Sequence, residues 1–153
     1  MTDTPALRDA RLEAVPHDVV THGPVSSLEE AADVRGLSPR QVTKTIVVRR
    51  AEDEYLFVLV PGDRVISWPK LRRHLGVSRL SMPDADDAER VTGYAPGTIT
   101  PFGAVVSWPI IADRSLAERV SVGGGARGVS ITIDRADLVE ALDASIADVT
   151  DPK

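Results

Sequence analysis

Apolar and polar positions change rhythm several times along the chain, and each change marks a predicted element. Gln41 to Val48 carries β-branched residues at six of its eight positions, a composition that suits a pleated, half-buried strand. Residues 51–54 are polar and read as a hairpin tip. Residues 55–60 return as an unbroken apolar run, which predicts a central strand covered on both faces. Before this pair, residues 1–5 read as a loose end. A short helix with Leu7 and Leu12 inward fits residues 6–14, Pro16 stops it, and a strand fits residues 17–22. Ser27 and Glu30 have the spacing of a capping box for a helix over residues 28–35, with Gly36 as its stop.

After the hairpin, Pro61, Gly62 and Asp63 close the pair. Ser67 then caps a helix that Gly76 ends. Residues 77–81 read as a short strand and residues 84–91 as an acidic helix. Residues 105–108 and 109–112 are strand-like, and residues 116–119 fit one helical turn. Residues 129–133 alternate as a strand, and Asp134 or Arg135 opens a last helix through Leu142. About seven short strands broken by four or five short helices predict an α+β, barrel-like sheet rather than a doubly wound parallel one. The length of 153 residues suits a single domain, expected here over residues 1–153.

Composition narrows the chemistry. The formal net charge is −5, which disfavours binding nucleic acid through overall charge but permits a local basic patch. The chain has no cysteine, so thiolate catalysis and disulfides are excluded. Its three histidines, His17, His22 and His74, lack metal-ligand spacing and read as ordinary imidazoles; no metal or cofactor is expected. The apolar runs are too short to span a bilayer and the N-terminus lacks a secretory pattern, so a cytoplasmic protein with no membrane partner is expected. The chain has only three lysines against fifteen arginines, and one of them, Lys44, sits inside the β-branched strand. A lysine there either blunts a sheet edge or serves as a compact charge in a site.

Two glycine-rich segments, residues 93–103 and 123–128, have the backbone freedom to present amide N–H groups to an anion or oxyanion. Neither carries a P-loop or dinucleotide fingerprint, and no serine elbow or carboxylate pair is visible. Taken singly, each reads as a tight connection. Together and in order, Gln41-Val42-Thr43-Lys44-Thr45, the Gly93–Gly103 loop and Gly124-Gly125-Ala126-Arg127-Gly128 resemble the YbaK-type aminoacyl-tRNA deacylases, relatives of the editing domain of bacterial prolyl-tRNA synthetases.

That resemblance implies a mixed, mostly antiparallel, YbaK-like sheet of six or seven strands surrounded by four or five helices. It implies catalytic roles for Lys44, near the ester or terminal ribose, and for Gly97, through its amide. It implies a substrate pocket that includes Thr45, Tyr94, Pro101, Gly124, Gly125, Arg127, Gly128 and Ser130. The implied function is freestanding trans-editing: hydrolysis of the ester joining a small mischarged amino acid to the tRNA 3′ end, with a synthetase as a further partner and no DNA. The alternative is a non-catalytic module of the same fold that binds tRNA or a synthetase. Gly123 and Ser130 stand where the cysteine-specific branch has a serine and an aspartate, so relaxed selectivity for alanine, serine or cysteine is expected. Arg49, Arg50, Arg72, Arg73 and Arg79 are the candidate phosphate contacts.

Overall fold

The computed structural model describes residues 3–153. The elements run, in chain order, α1 (Ala10–Glu13), β1 (Asp18–Thr21), α2 (Leu28–Val34), a 3-10 turn (Pro39–Gln41), β2 (Thr43–Ala51), β3 (Glu54–Pro61) and β4 (Arg64–Ile66). They continue with α3 (Trp68–Leu75), α4 (Ala85–Thr92), β5 (Ile110–Asp113), β6 (Arg119–Gly123), β7 (Val129–Asp134), α5 (Arg135–Leu142), β8 (Ser145–Ala147) and β9 (Thr150–Pro152).

Local capping accounts for the helix boundaries. The Ser27 side chain accepts from the Glu30 amide at 3.0 Å, but the Glu30 carboxylate turns back to Ser26 rather than closing a box on Ser27. Ser67 caps α3 and Gly76 ends it in the left-handed region; Asp84 and Gly93 do the same for α4.

The strands form three sheets, with orders β1-β7-β6, β2-β3-β5-β8 and β4-β9. The β2–β3, β1–β7, β6–β7 and β4–β9 pairs are antiparallel, and β3–β5 and β5–β8 are parallel. A single parallel bridge, Val42 to Ser121, joins the two larger sheets. The strand pairing is therefore mixed and mostly antiparallel, as expected, but the sheets do not form a closed barrel.

Strand β3 lies between two cores. Tyr55, Phe57 and Leu59 point into the larger one with Val120, Val122, Ile131 and Ile133. Leu56, Val58 and Val60 point into the smaller one with Leu71, Ile111 and Val149. Side chains alternate across a strand, so a strand buried on both faces must be apolar at every position. On β2 the same alternation sends Val47 to the larger core and Ile46 and Val48 to the smaller.

Several expected elements take other forms. The N-terminal segment is not loose where it is described: Thr4 is buried and its hydroxyl donates to the Gly124 carbonyl at 2.6 Å, while Met1 and Thr2 lie outside the described residues. The first helix is shorter than expected, and turns precede it. Residues 77–81 form no strand, because only Ser81 reaches the edge of β2, in a bridge to Arg49. Residues 105–108 form a turn with Val105 and Val106 exposed, and Pro109 has no amide to donate to a ladder. Residues 116–119 are not helical; Leu116 is buried in the β5–β6 turn and Arg119 starts β6. The three-residue strands β4, β8 and β9 were not predicted.

Candidate functional site

Two loops and one helix end converge on a single face. In the first loop the Tyr94 hydroxyl donates to the Phe102 carbonyl at 2.6 Å, and the Thr98 amide and hydroxyl both bond the Ala95 carbonyl. The Asp9 carboxylate accepts from the Gly103 amide at 2.7 Å, which pins the loop's end to α1. At its tip Gly97 has φ +85°, a conformation that favours glycine, with open space where a Cβ would stand. The second loop joins β6 to β7. Its Gly128 carbonyl accepts from the His22 amide at 2.9 Å, and a Cβ on Gly128 would meet the His22 carbonyl oxygen at 2.5 Å. Only glycine permits that approach.

Between them lies a cavity of about 480 Å³. Gly97 and Thr98 come from the first loop, Gly123 and Ala126 to Val129 from the second. His22, Pro24, Val25 and Arg35 complete it from the β1–α2 segment and the end of α2. The lining has no carboxylate. Among the described residues, the amides of Gly97, Ala126, Arg127 and Gly128 have no hydrogen-bond partner. A lining of free donors and two guanidiniums gives the cavity a positive character within an acidic chain.

Of the residues expected in the site, Gly97, Arg127 and Gly128 line the cavity. The others do not. Tyr94 is buried behind Gly125, and its ring would stand 3.0 Å from a Cβ there. Burial, then the charge of Asp9, push its phenol up to about 12. Gly124 is occupied on both sides, its amide bonding Val129 and its carbonyl accepting from Thr4. Gly125 packs on Thr4 and the Tyr94 ring. Pro101 is buried and its carbonyl accepts from Arg11. Ser130 is buried with its hydroxyl 3.4 Å from the Val20 carbonyl.

Lys44 and Thr45 do not converge, because neighbours on a strand face opposite ways. Thr45 shares its side of β2 with Val47, and its hydroxyl is buried without a partner. Lys44 is half-buried on the other side, and its ammonium donates to the Arg64 carbonyl at 2.8 Å. Burial, reinforced by the charge of Lys153 and opposed by Asp63, lowers its pKa. It is absent from the cavity lining, contrary to expectation, because its side chain bends towards β4. The Val42–Ser121 bridge nevertheless puts its face of β2 on the same side as Ser121 and hence Arg35.

His22 and Arg35 were not singled out as site residues. His22 follows a strand as an isolated histidine, and Arg35 precedes Gly36 like any helix-end cation, so neither carried a signal beyond its neighbours. In the structure Arg35 reaches across to the Ser121 hydroxyl, Nη1 to Oγ, at 3.1 Å, and burial with no acid beside it lowers its pKa. The expected arginine patch is partly assembled. Arg49, Arg50 and Arg79 line a second groove of about 410 Å³ at the far end of β2, whereas Arg72 and Arg73 on α3 lie outside its lining.

Residues 22–141 match the aminoacyl-tRNA editing domain family. The proline–tRNA ligase of Citrifermentans bemidjiense is 36% identical over 90 residues, 59% of this chain and 16% of that protein. That of a Thermoanaerobacter species is 32% identical over 108 residues, 69% of this chain and 19% of that protein. The chain thus spans less than a fifth of the length of the curated relatives it matches. A candidate trans-editing enzyme for prolyl tRNA synthetase has the same fold, with a TM-score of 0.84 over 99% of both chains at 22% identity. The crystal structure of a hypothetical protein aligns with a TM-score of 0.82 at 26% identity, over 93% of this chain and 95% of that one. With the match covering most of its length and the two glycine loops meeting at one cavity, the chain belongs to the aminoacyl-tRNA editing domain family.

Proposed function

We propose that the chain is a freestanding trans-editing deacylase that hydrolyses the ester of a small mischarged amino acid on tRNA. The observation that carries this reading is that residues of both glycine segments, with backbone amides that have no partner among the described residues, line one carboxylate-free cavity. Ester hydrolysis needs little more than placement and stabilisation of the tetrahedral oxyanion, and preorganised amides supply both. Water, or a nucleophilic substrate side chain, attacks the ester carbonyl carbon. The carbonyl oxygen takes the negative charge beside the Gly97 amide. The bond to the ribose oxygen then breaks, and that oxygen takes up the proton released by the nucleophile. With water the products are the free amino acid and uncharged tRNA.

Lys44 enters this scheme by a side-chain movement. Its four-carbon stem turns the ammonium from the Arg64 carbonyl towards the substrate's terminal ribose or ester when tRNA binds. Its present orientation favours one other reading, a non-catalytic module that binds acylated tRNA or a synthetase without cleaving it.

A deacylation panel separates the two. Alanyl, seryl and cysteinyl esters are presented on the tRNA for proline and on each amino acid's own tRNA, with loss of the ester followed over time. No carboxylate lines the cavity to hold an α-ammonium firmly, so selection rests on size and apolar contact, which separate close homologues by about 1–3 kcal/mol. Hydrolysis of more than one small ester is expected. Binding of tRNA without acceleration of any ester supports the module, and cleavage of the cysteinyl ester alone overturns the relaxed selectivity.

A further inference from the structure

Arg35 is one of two guanidiniums lining the cavity, and the proposed hydrolysis does not use it. Its Nη1 donates to Ser121 Oγ. Its Nε is buried without a partner, while Nη2 is neither bonded nor sealed off among the described residues. It makes no ion pair with a described residue, in a chain of 23 acidic residues. Five other arginines do pair with acids, among them Arg119, which bridges Asp18 and Asp134 at 2.8 and 2.9 Å, and Arg11, which pairs with Asp9 at 2.7 Å. A half-buried guanidinium is desolvated at a cost that an anionic partner normally offsets. Here no carboxylate of the cavity lining supplies one, and the unpartnered amides of Ala126, Arg127 and Gly128 add further anion donors in the same cavity.

The chemistry of the substrate, on the deacylase reading, says which anion fits. The amino acid's carboxyl is esterified and uncharged, and its α-ammonium is repelled by a guanidinium. The negative charges near the acylated end are phosphodiesters. We infer that the Arg35 end of the cavity is a phosphate subsite that holds the phosphodiester leading to the terminal nucleoside of the tRNA, with Arg35 as its anchor and the second glycine loop as its amide wall. The aminoacyl group then lies beside the Gly97 amide, with its α-ammonium directed away from Arg35.

This inference rests on the deacylase reading for the identity of the ligand but is tested without catalysis. Binding of the unacylated trinucleotide cytidylyl-cytidylyl-adenosine, of adenosine 5′-monophosphate, of adenosine and of inorganic phosphate is measured by calorimetry on the wild type and on Arg35→Gln. The trinucleotide and the monophosphate should each bind Arg35→Gln about tenfold or more weakly, the scale of a lost charge-assisted fork. Adenosine should bind both proteins alike. Equal affinity of both proteins for the trinucleotide, or no binding of it to the wild type, overturns the subsite. Inorganic phosphate bound more tightly than the trinucleotide assigns the site to a free anion and overturns the tRNA assignment. Should Arg35→Gln not fold, Arg35→Lys decides the question: it keeps the charge but loses the fork, so a loss of about threefold for the trinucleotide and none for adenosine is expected. A failed deacylation panel with a positive binding result removes the catalytic reading and leaves the subsite standing.

Discussion

Lys44 Nζ stands 2.8 Å from the carbonyl oxygen of Arg64, so the one lysine of β2 is held by the backbone of β4. That bond connects the β2–β3 hairpin to the two-stranded β4–β9 sheet and leaves the ammonium half-buried. Lys44→Ala should leave the fold intact, at a cost of about 1 kcal/mol for one hydrogen bond. It should lower kcat/KM for deacylation by about tenfold or more if the ammonium turns to the substrate. Thermal unfolding and single-turnover hydrolysis check the two effects separately. Unchanged hydrolysis by a folded variant would leave Lys44 as a structural strut.

Tyr94 and Phe102 close the first glycine loop on itself through a buried hydrogen bond. Tyr94→Phe leaves the Phe102 carbonyl buried and unpaired, with an expected loss of about 1–3 kcal/mol in denaturant unfolding. In a Tyr55→Phe background, spectrophotometric titration should show the Tyr94 phenol ionising only near pH 12. Ionisation at the ordinary phenol value would mean the loop is open in solution.

Two partly or fully buried carboxylates, Asp113 and Asp9, are held below their ordinary pKa. Burial would raise the pKa of Asp113, but hydrogen bonds from the Ser115 hydroxyl and the amides of Val149 and Ser115 outweigh it and hold the group below its ordinary 3.8. At Asp9 burial is likewise outweighed, by Arg11 and by the Gly103 amide. A depressed carboxylate stabilises the fold above its unfolded pKa, and that contribution is lost as pH falls through the folded value. Stability should therefore hold above about pH 5 and drop below 3.8. Asp113→Asn should be less stable at neutral pH by about 1.5–3 kcal/mol, with a shallower decline on acidification. Urea unfolding at a series of pH values tests this, and an equally steep decline in the variant would contradict it.

On the deacylase reading, the groove lined by Arg49, Arg50 and Arg79 is a second place where tRNA phosphate would be contacted. Affinity for tRNA should fall steeply with added salt. Converting Arg79 to Gln should weaken binding about equally for all tRNAs and reduce the salt slope by about one. Filter binding between low and physiological ionic strength measures it. A slope unchanged by the substitution would show that the groove is solvated surface.

What could be read from the sequence was what neighbours in the chain decide among themselves. Ser67 with Gly76, and Asp84 with Gly93, bound their helices through side chains and backbone within a turn or two. The polar tip between two β-rich runs made the β2–β3 hairpin visible, and the unbroken apolar run of β3 reported burial on both faces. The two glycine segments announced loops with unusual backbone freedom, and together with the lysine strand they pointed to the family.

What remained hidden depends on partners far away in sequence. Strand β4 exists because β9 pairs with it some eighty residues later, in the register Ile66 to Thr150. Residues 77–81 look like a strand yet find only one bridge, because only Ser81 comes within reach of the free edge of β2. The site divides in the same way. Its glycines were legible because their backbone requirement is local, whereas Arg35 joins the cavity lining only because the fold brings the end of α2 within reach of Ser121 on β6. Lys44 was visible as a residue out of place on its strand, but its ammonium meets the Arg64 carbonyl because the fold brings β4 within its reach. Residue types and local backbone needs are written along the chain; the direction of a long charged side chain is set by whichever acceptor the tertiary fold brings within reach.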